Sequence, residues 1–173
     1  MLDIFASIDP TTAEVAAPRP GDELVAAAEV VMDRAFDLDA PPEEVWPWLV
    51  QLGKRRAGWY LPRRVERVLP RSRRALRHID PRWQELGVGT VVPDYGGRDA
   101  TFEVAEIEAG RHLVYTSRRG RTDLTWTLHL TPSAGSGTRV HLRLRLGPVT
   151  HVALAERVGG LFDALTVAGM AAG

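Results

Sequence analysis

From Gly87 onward the chain alternates apolar and polar residues with period two, in five segments cut by turn residues, and few folds accept that pattern. The segments are Thr90 to Val92, Thr101 to Ile107, His112 to Ser117, Leu124 to Thr131 and Thr138 to Leu146. Between them stand Asp94-Tyr-Gly-Gly-Arg98, Glu108-Ala-Gly110, Arg118-Arg-Gly120 and Pro132-Ser-Ala-Gly-Ser-Gly137, residues that tolerate unusual backbone angles. Successive side chains of a strand point to opposite faces. Leu124, Trp126, Leu128 and Leu130 therefore share one face, with Thr125, Thr127 and His129 on the other; Val140, Leu142, Leu144 and Leu146 likewise oppose His141, Arg143 and Arg145. The expectation is an antiparallel meander with one apolar face and one wet face, and the apolar face needs a cover.

Two flanking regions can supply it. Val152, Leu154, Val158, Leu161, Phe162, Leu165 and Met170 form a broad apolar stripe at helical spacing, which predicts a long, largely buried C-terminal helix over Val149 to Gly173. Gly159 and Gly160 each cost about 1 kcal/mol against alanine in a helix, so they predict a close approach or a bend. Upstream, Val30, Met32, Ala35, Phe36 and Leu38 predict a first strand, interrupted near Asp33 and Arg34. It feeds a helix from about Pro41, with Asp39 as a cap, Glu43 and Glu44 at its positive end, and Val45, Trp46, Leu49 and Leu52 on its apolar face. Pro47 predicts a kink or a split, since a proline inside a helix costs roughly 3 kcal/mol. Leu61, Val65, Val68 and Leu69, with Pro62 near the start and Pro70 as the stop, predict a second short helix.

The chain has 173 residues, enough for one substantial core, and the predicted organisation is a flexible arm over 1–20 followed by one domain over 21–173. Hydrophobic content of 45% and charged content of 25% match globular averages, which argues against wholesale disorder and against a membrane protein. The tail from Ala164 is too short to cross a bilayer, so no stable membrane insertion is expected. Asp3, Asp9 and Glu14 replace the cationic start of a secretory signal, so a cytoplasmic location is expected. The lack of cysteine excludes disulfides, thiolate metal sites and a cysteine nucleophile. Net charge is zero but unevenly spread: residues 1–44 hold eleven acids against Arg19 and Arg34, and residues 54–77 hold ten bases against Glu66. The basic run reads as a solvated face partly neutralised by the acidic arm. Without a recognition motif or a high isoelectric point, nucleic-acid binding is not expected.

A strand, short helices, five more strands and a long terminal helix, together with three local motifs, resemble the START-like superfamily, also called SRPBCC, of polyketide cyclase/dehydrase and lipid-transport proteins. The motifs are Asp39-Ala-Pro-Pro-Glu-Glu-Val-Trp-Pro-Trp-Leu49, Gln51-Leu-Gly with Ala57-Gly-Trp-Tyr60, and Trp83-Gln-Glu-Leu-Gly-Val-Gly89. The Gly58-Trp-Tyr60 run is similar to a bacterial sub-group, and the resemblance covers the chain from about residue 29. It implies an α+β helix-grip fold, in which a curved antiparallel sheet of about six or seven strands wraps a long C-terminal helix, with two short helices after the first strand and an apolar cavity inside. Binding of a small hydrophobic ligand, lipid- or polyketide-like, is then the expected function. A fold of this kind does not by itself assign the ligand.

Trp59, Tyr60 and Trp83 come from segments that would cover the cavity mouth, and with Tyr115 and Phe162 they are the candidate ligand contacts. Each has a competing reading as plain core. Asp94, Tyr95 and Arg98 bracket a glycine pair and could serve as base and enolate-oxygen donors in a cyclase or dehydratase reaction, the alternative function; an ordinary turn explains the same residues. A further alternative is an interaction domain using segment 54–77 on an acidic partner, including the acidic arm of another copy in a homo-oligomer. His78, His112, His129, His141 and His151 lack metal-ligand spacing, so no metal is expected, and His129 and His141 read as surface residues. No glycine fingerprint supports a nucleotide cofactor, and Ser117, Ser133 and Ser136 lack a nucleophile elbow, so no cofactor is expected.

Overall fold

Six strands form one antiparallel sheet in the computed structural model, which describes residues 8–61, 66–70, 74–94 and 99–149 together with Met170. They are β1 (Val30–Leu38), β2 (Val91–Pro93), β3 (Thr101–Glu108), β4 (His112–Arg119), β5 (Thr122–Pro132) and β6 (Thr138–Gly147). Their order is β1-β6-β5-β4-β3-β2, so β2 to β6 are the expected meander and β1 pairs with its last strand. The connection from β1 to β2 must therefore span the whole sheet, and it carries the helix over the inner face. Directly opposite residues share a face. Phe36 against Val140, Tyr115 against Trp126 and Val104 against Tyr115 place the apolar side chains inward.

The interruption expected in β1 is absent, because Asp33 faces outward opposite Arg143 and the register runs unbroken from Val30 to Leu38. The irregularity lies in β3 instead, between Val104 and Glu106, and lets Val104 and Ile107 both pair on the inner side of β4. Helix α1 is a short piece over Thr12–Ala16, and α2 covers Pro42–Val50. Pro41 is the N-cap of α2 and no side chain caps it, so Asp39 does not take that role. Nor does Pro47 split α2. The carbonyl deprived of its partner belongs to exposed Glu43, which water can satisfy, and Val45, Leu49 and Val50 remain buried along one face.

Of the second expected helix, residues 62–65 lie outside the described residues; Glu66 is helical, and its carbonyl accepts from Leu69 N–H at 3.1 Å. The long C-terminal helix also lies outside them, except that Met170 is helical and buried within the main core. Segment 51–60 folds tightly beside β2. Gly53 has φ 132°, and a Cβ there would come within 2.4 Å of Val92 Cγ1, so only glycine lets this turn lie against the strand.

Residues 8–25 form a strap across the outer face of the sheet, so residues 8–20 of the arm expected over 1–20 are held down, and residues 1–7 lie outside the described residues. Thr11 and Glu14 cap α1 reciprocally, with Thr11 N–H to Glu14 Oε2 at 2.7 Å and Glu14 N–H to Thr11 Oγ1 at 3.2 Å. Ile8 is buried, and its carbonyl accepts from Ala35 N–H at 3.0 Å. The basic row on β6 holds the rest. Arg139 grips Glu14 through two bonds of 2.8 and 2.9 Å; Arg143 donates to the carbonyls of Glu14, Val15 and Ala17 and to Asp22; Arg145 reaches the carbonyls of Val25 and Ala26. Thr125, Thr127, His141 and Arg143 are consequently buried, so the face read as wet is a second, polar interior and His141 is not a surface residue. Among the described residues, Glu14 and Asp22 of the strap pair with Arg139 and Arg143 of β6.

Candidate functional site

Between α2, the end of β1 and Met170 lies a cavity of about 380 Å³, within the range of small-molecule sites. Phe36 and Leu38 enter from β1, Val45, Trp48 and Leu49 from α2, and Met170 closes the apolar wall. Asp39, Glu44 and Arg77 stand with them as charged members of the lining. Tyr60 supplies the polar group. Its ring meets the edge of Trp48 at 5.9 Å and 66°, and the Arg77 guanidinium lies 5.5 Å over it, held by Glu66 at 3.0 Å. Trp48 and Arg77 thus fix the ring from two sides.

The tyrosine hydroxyl is placed by Gln51, a residue that is 0% exposed. Gln51 Nε2 donates to Tyr60 Oη at 2.6 Å and to the His78 carbonyl at 3.2 Å, while Gln51 Oε1 accepts from Asp80 N–H at 3.1 Å. Burial raises the Tyr60 phenol above its ordinary value, only partly offset by the Gln51 bond and by Arg77. A protonated phenol is a donor, not a base. Gln51 was not among the candidates from the sequence; its signal was a single amide between the apolar residues Val50 and Leu52 at the end of α2.

Trp59 turns the other way, as a neighbour in extended chain must. Its ring lies 5.0 Å from Trp126, and Trp126, Phe102 and Tyr115 form a continuous aromatic cluster with centroids 5.5 to 5.9 Å apart. Trp59 Nε1 and Tyr115 Oη are buried there with no hydrogen-bond partner among the described residues. Trp83 is half-buried between the guanidiniums of Arg56 at 5.1 Å and Arg82 at 5.6 Å, and does not line the cavity beside Tyr60. Phe162 lies outside the described residues. The structure thus separates the sequence candidates: Tyr60 on the cavity, Trp59 and Tyr115 in the aromatic core, Trp83 apart.

Asp94 is buried and pairs with Arg119 at 2.7 Å. Arg119 in turn donates to Ser117 Oγ at 2.6 Å and lies 5.3 Å over Phe102. The Asp94 carboxylate is thus engaged by Arg119, and Tyr95 and Arg98, its proposed partners, lie outside the described residues. Among the described residues no three His, Cys, Asp or Glu side chains gather as a metal site, and no helix is long and apolar enough to cross a membrane.

With an apolar cavity and one buried donor in view, comparison with known proteins places the chain. Residues 29–172 match the family described as polyketide cyclase / dehydrase and lipid transport. The chain belongs to that family. Solved structures share the fold of this polyketide cyclase family member at low identity. A protein from Chromobacterium violaceum is 19% identical with a TM-score of 0.53, over 82% of this chain and 94% of that one. An HSP90 activator from Plasmodium falciparum is 16% identical with a TM-score of 0.53, over 80% and 91%. The protein XoxI from Bacillus cereus is 13% identical with a TM-score of 0.52, over 83% and 94%. No curated protein matches the sequence.

Proposed function

We propose that this family member binds a small hydrophobic molecule, of lipid or polyketide type, in the cavity beside Tyr60, within a helix-grip architecture whose C-terminal helix covers the inner face of the sheet. One observation carries the reading: a cavity of about 380 Å³, walled by Phe36, Leu38, Val45, Leu49 and Met170, with Trp48 and Tyr60 available to stack on a flat ligand. The Asp94–Arg119 pair counts against acid-base chemistry by Asp94, so binding is preferred over a cyclase or dehydratase reaction.

Native mass spectrometry of freshly purified protein, followed by extraction of retained molecules, tests the reading. The expected result is a bound hydrophobic species, with retention falling in Ala40→Phe, which fills the cavity from its lining while leaving α2 intact. Equal retention in Ala40→Phe, at unchanged thermal stability, would place the ligand elsewhere. A chain that retains nothing and takes up no hydrophobic probe would end the binding reading.

A further inference from the structure

The direction of each hydrogen bond around Gln51 is fixed by groups with only one role. A backbone N–H can only donate, and that of Asp80 lies 3.1 Å from Gln51 Oε1; a carbonyl can only accept, and that of His78 lies 3.2 Å from Gln51 Nε2. Exchanging the amide's oxygen and nitrogen would set donor against donor and acceptor against acceptor. Gln51 Nε2 is therefore the donor in its 2.6 Å contact with Tyr60, and Tyr60 Oη is the acceptor. The phenol's own proton must then point elsewhere. Among the described residues Tyr60 makes no hydrogen bond as donor, although it is buried and lines the cavity. With Trp48 against the ring edge and Arg77 over its face, the oxygen keeps its place.

Resting on the cavity-binding reading above, we propose that Tyr60 is a fixed hydrogen-bond donor to the bound molecule, so that the cavity selects hydrophobic molecules bearing an acceptor oxygen, such as a ketone, over hydrocarbons of the same shape. Gln51 is the positioning residue: it occupies the acceptor side of the phenol and turns the proton toward the ligand. A hydrocarbon ligand strands that proton away from water. Leaving a buried donor unpaired lowers affinity by roughly tenfold or more.

The probe pair 9-fluorenone and fluorene tests this, because the two share a planar skeleton and differ by one carbonyl oxygen. Each is titrated into the full chain and followed by tryptophan fluorescence. The wild-type chain is expected to prefer fluorenone by roughly tenfold. Tyr60→Phe should abolish the preference and keep or raise the affinity for fluorene. Gln51→Glu, which when ionised puts an acceptor oxygen opposite the phenol, should at a pH where it is ionised draw the Tyr60 proton inward and abolish the preference with Tyr60 still present. A merely structural Gln51 would instead change both affinities together. Equal wild-type binding of the two probes overturns the proposal and leaves the cavity reading standing, and this arm needs no variant to fold. A preference that survives in Tyr60→Phe also overturns it, and binding of neither probe overturns both readings.

Discussion

Tyr115→Phe should stabilise the protein. Tyr115 is 2% exposed, and its ring is set by Phe102 at 5.5 Å, by Trp126 stacked at 5.9 Å and 18°, and by Val104 across the β3–β4 pair. All of these contacts survive the loss of one oxygen. The hydroxyl itself has no partner among the described residues, and burial drives the phenol far above its ordinary value. A buried hydroxyl without a partner costs about 1–3 kcal/mol relative to the solvated chain, and phenylalanine removes that cost without opening a cavity of any size. Taking the low end, the gain is about 1 kcal/mol, which raises the melting temperature by about 2–4 °C in a chain of this length. Urea unfolding with an unchanged slope and a higher midpoint is the direct assay. A loss of about 1 kcal/mol or more would refute the reasoning, because it would mean that the hydroxyl is bonded in the native protein. Trp59→Phe is the useful contrast: it also removes an unpartnered group, but it sacrifices part of the 5.0 Å packing on Trp126 and should be destabilising.

Three further outcomes concern the strap. Gly21→Ala should cost about 1–3 kcal/mol in urea unfolding, since Gly21 has φ 81° and a Cβ would lie 2.5 Å from Val114 Cγ1; adding Val114→Ala should recover the steric part alone. Arg143→Met should cost about 3–5 kcal/mol, because it leaves the buried Asp33 with His141 at 2.9 Å but without the Arg143 guanidinium at 2.8 Å and frees three strap carbonyls, and limited proteolysis should then cut within residues 8–25. Stability should fall with acid in two windows. His129, held down to about 4 by burial and then by Arg19, His112, His141 and Arg111, is neutral when folded; its contribution is full above its ordinary 6.5 and is lost as pH falls toward 4. Glu14, lowered from 4.5 to about 2 chiefly by its bonds to Arg139, contributes above 4.5 and loses that as pH falls through about 2. Screening at the surface limits the Glu14 share to about 1 kcal/mol. His129→Gln should flatten the upper window and Glu14→Gln the lower one; unchanged slopes in both would refute the assignment.

The parts of this fold that were readable in the sequence are those where a side chain's own environment has a period. Leu124 to Leu130 and Val140 to Leu146 alternate because every second residue meets the core, and the strands begin and end within two residues of the expected limits. The strap has no such record. Its side chains matter less than its main chain, because the carbonyls of Glu14, Val15, Ala17, Val25 and Ala26 receive the β6 guanidiniums, and any residue has a carbonyl. Its signature was on the partner: Arg139, His141, Arg143 and Arg145 at alternate positions form a basic row that would repel itself if left in water, and acids at Glu14, Asp22, Asp33 and Asp37 answer it. A polar strand face with one sign of charge thus points to a covering segment of the other sign, which period-two reading alone takes for solvent.

The candidate site divides along the same line. Tyr60 was legible because an aromatic residue after Gly58 in a short run must be placed by its surroundings, and the cavity lies where that segment meets α2. That Trp59 would join Trp126 while Tyr60 faces the cavity follows from their adjacency, but which of the two faces which side depends on the turn at Gly53 and its seat on Val92. Gln51 was invisible as a functional residue for a more general reason. Its role is one of direction, set by Asp80 N–H on one side and the His78 carbonyl on the other, and both belong to the backbone of a segment distant in sequence. A sequence records which groups can donate and accept; it does not record which partner has already claimed one side of a hydroxyl, and at Tyr60 that prior claim decides what a ligand must offer.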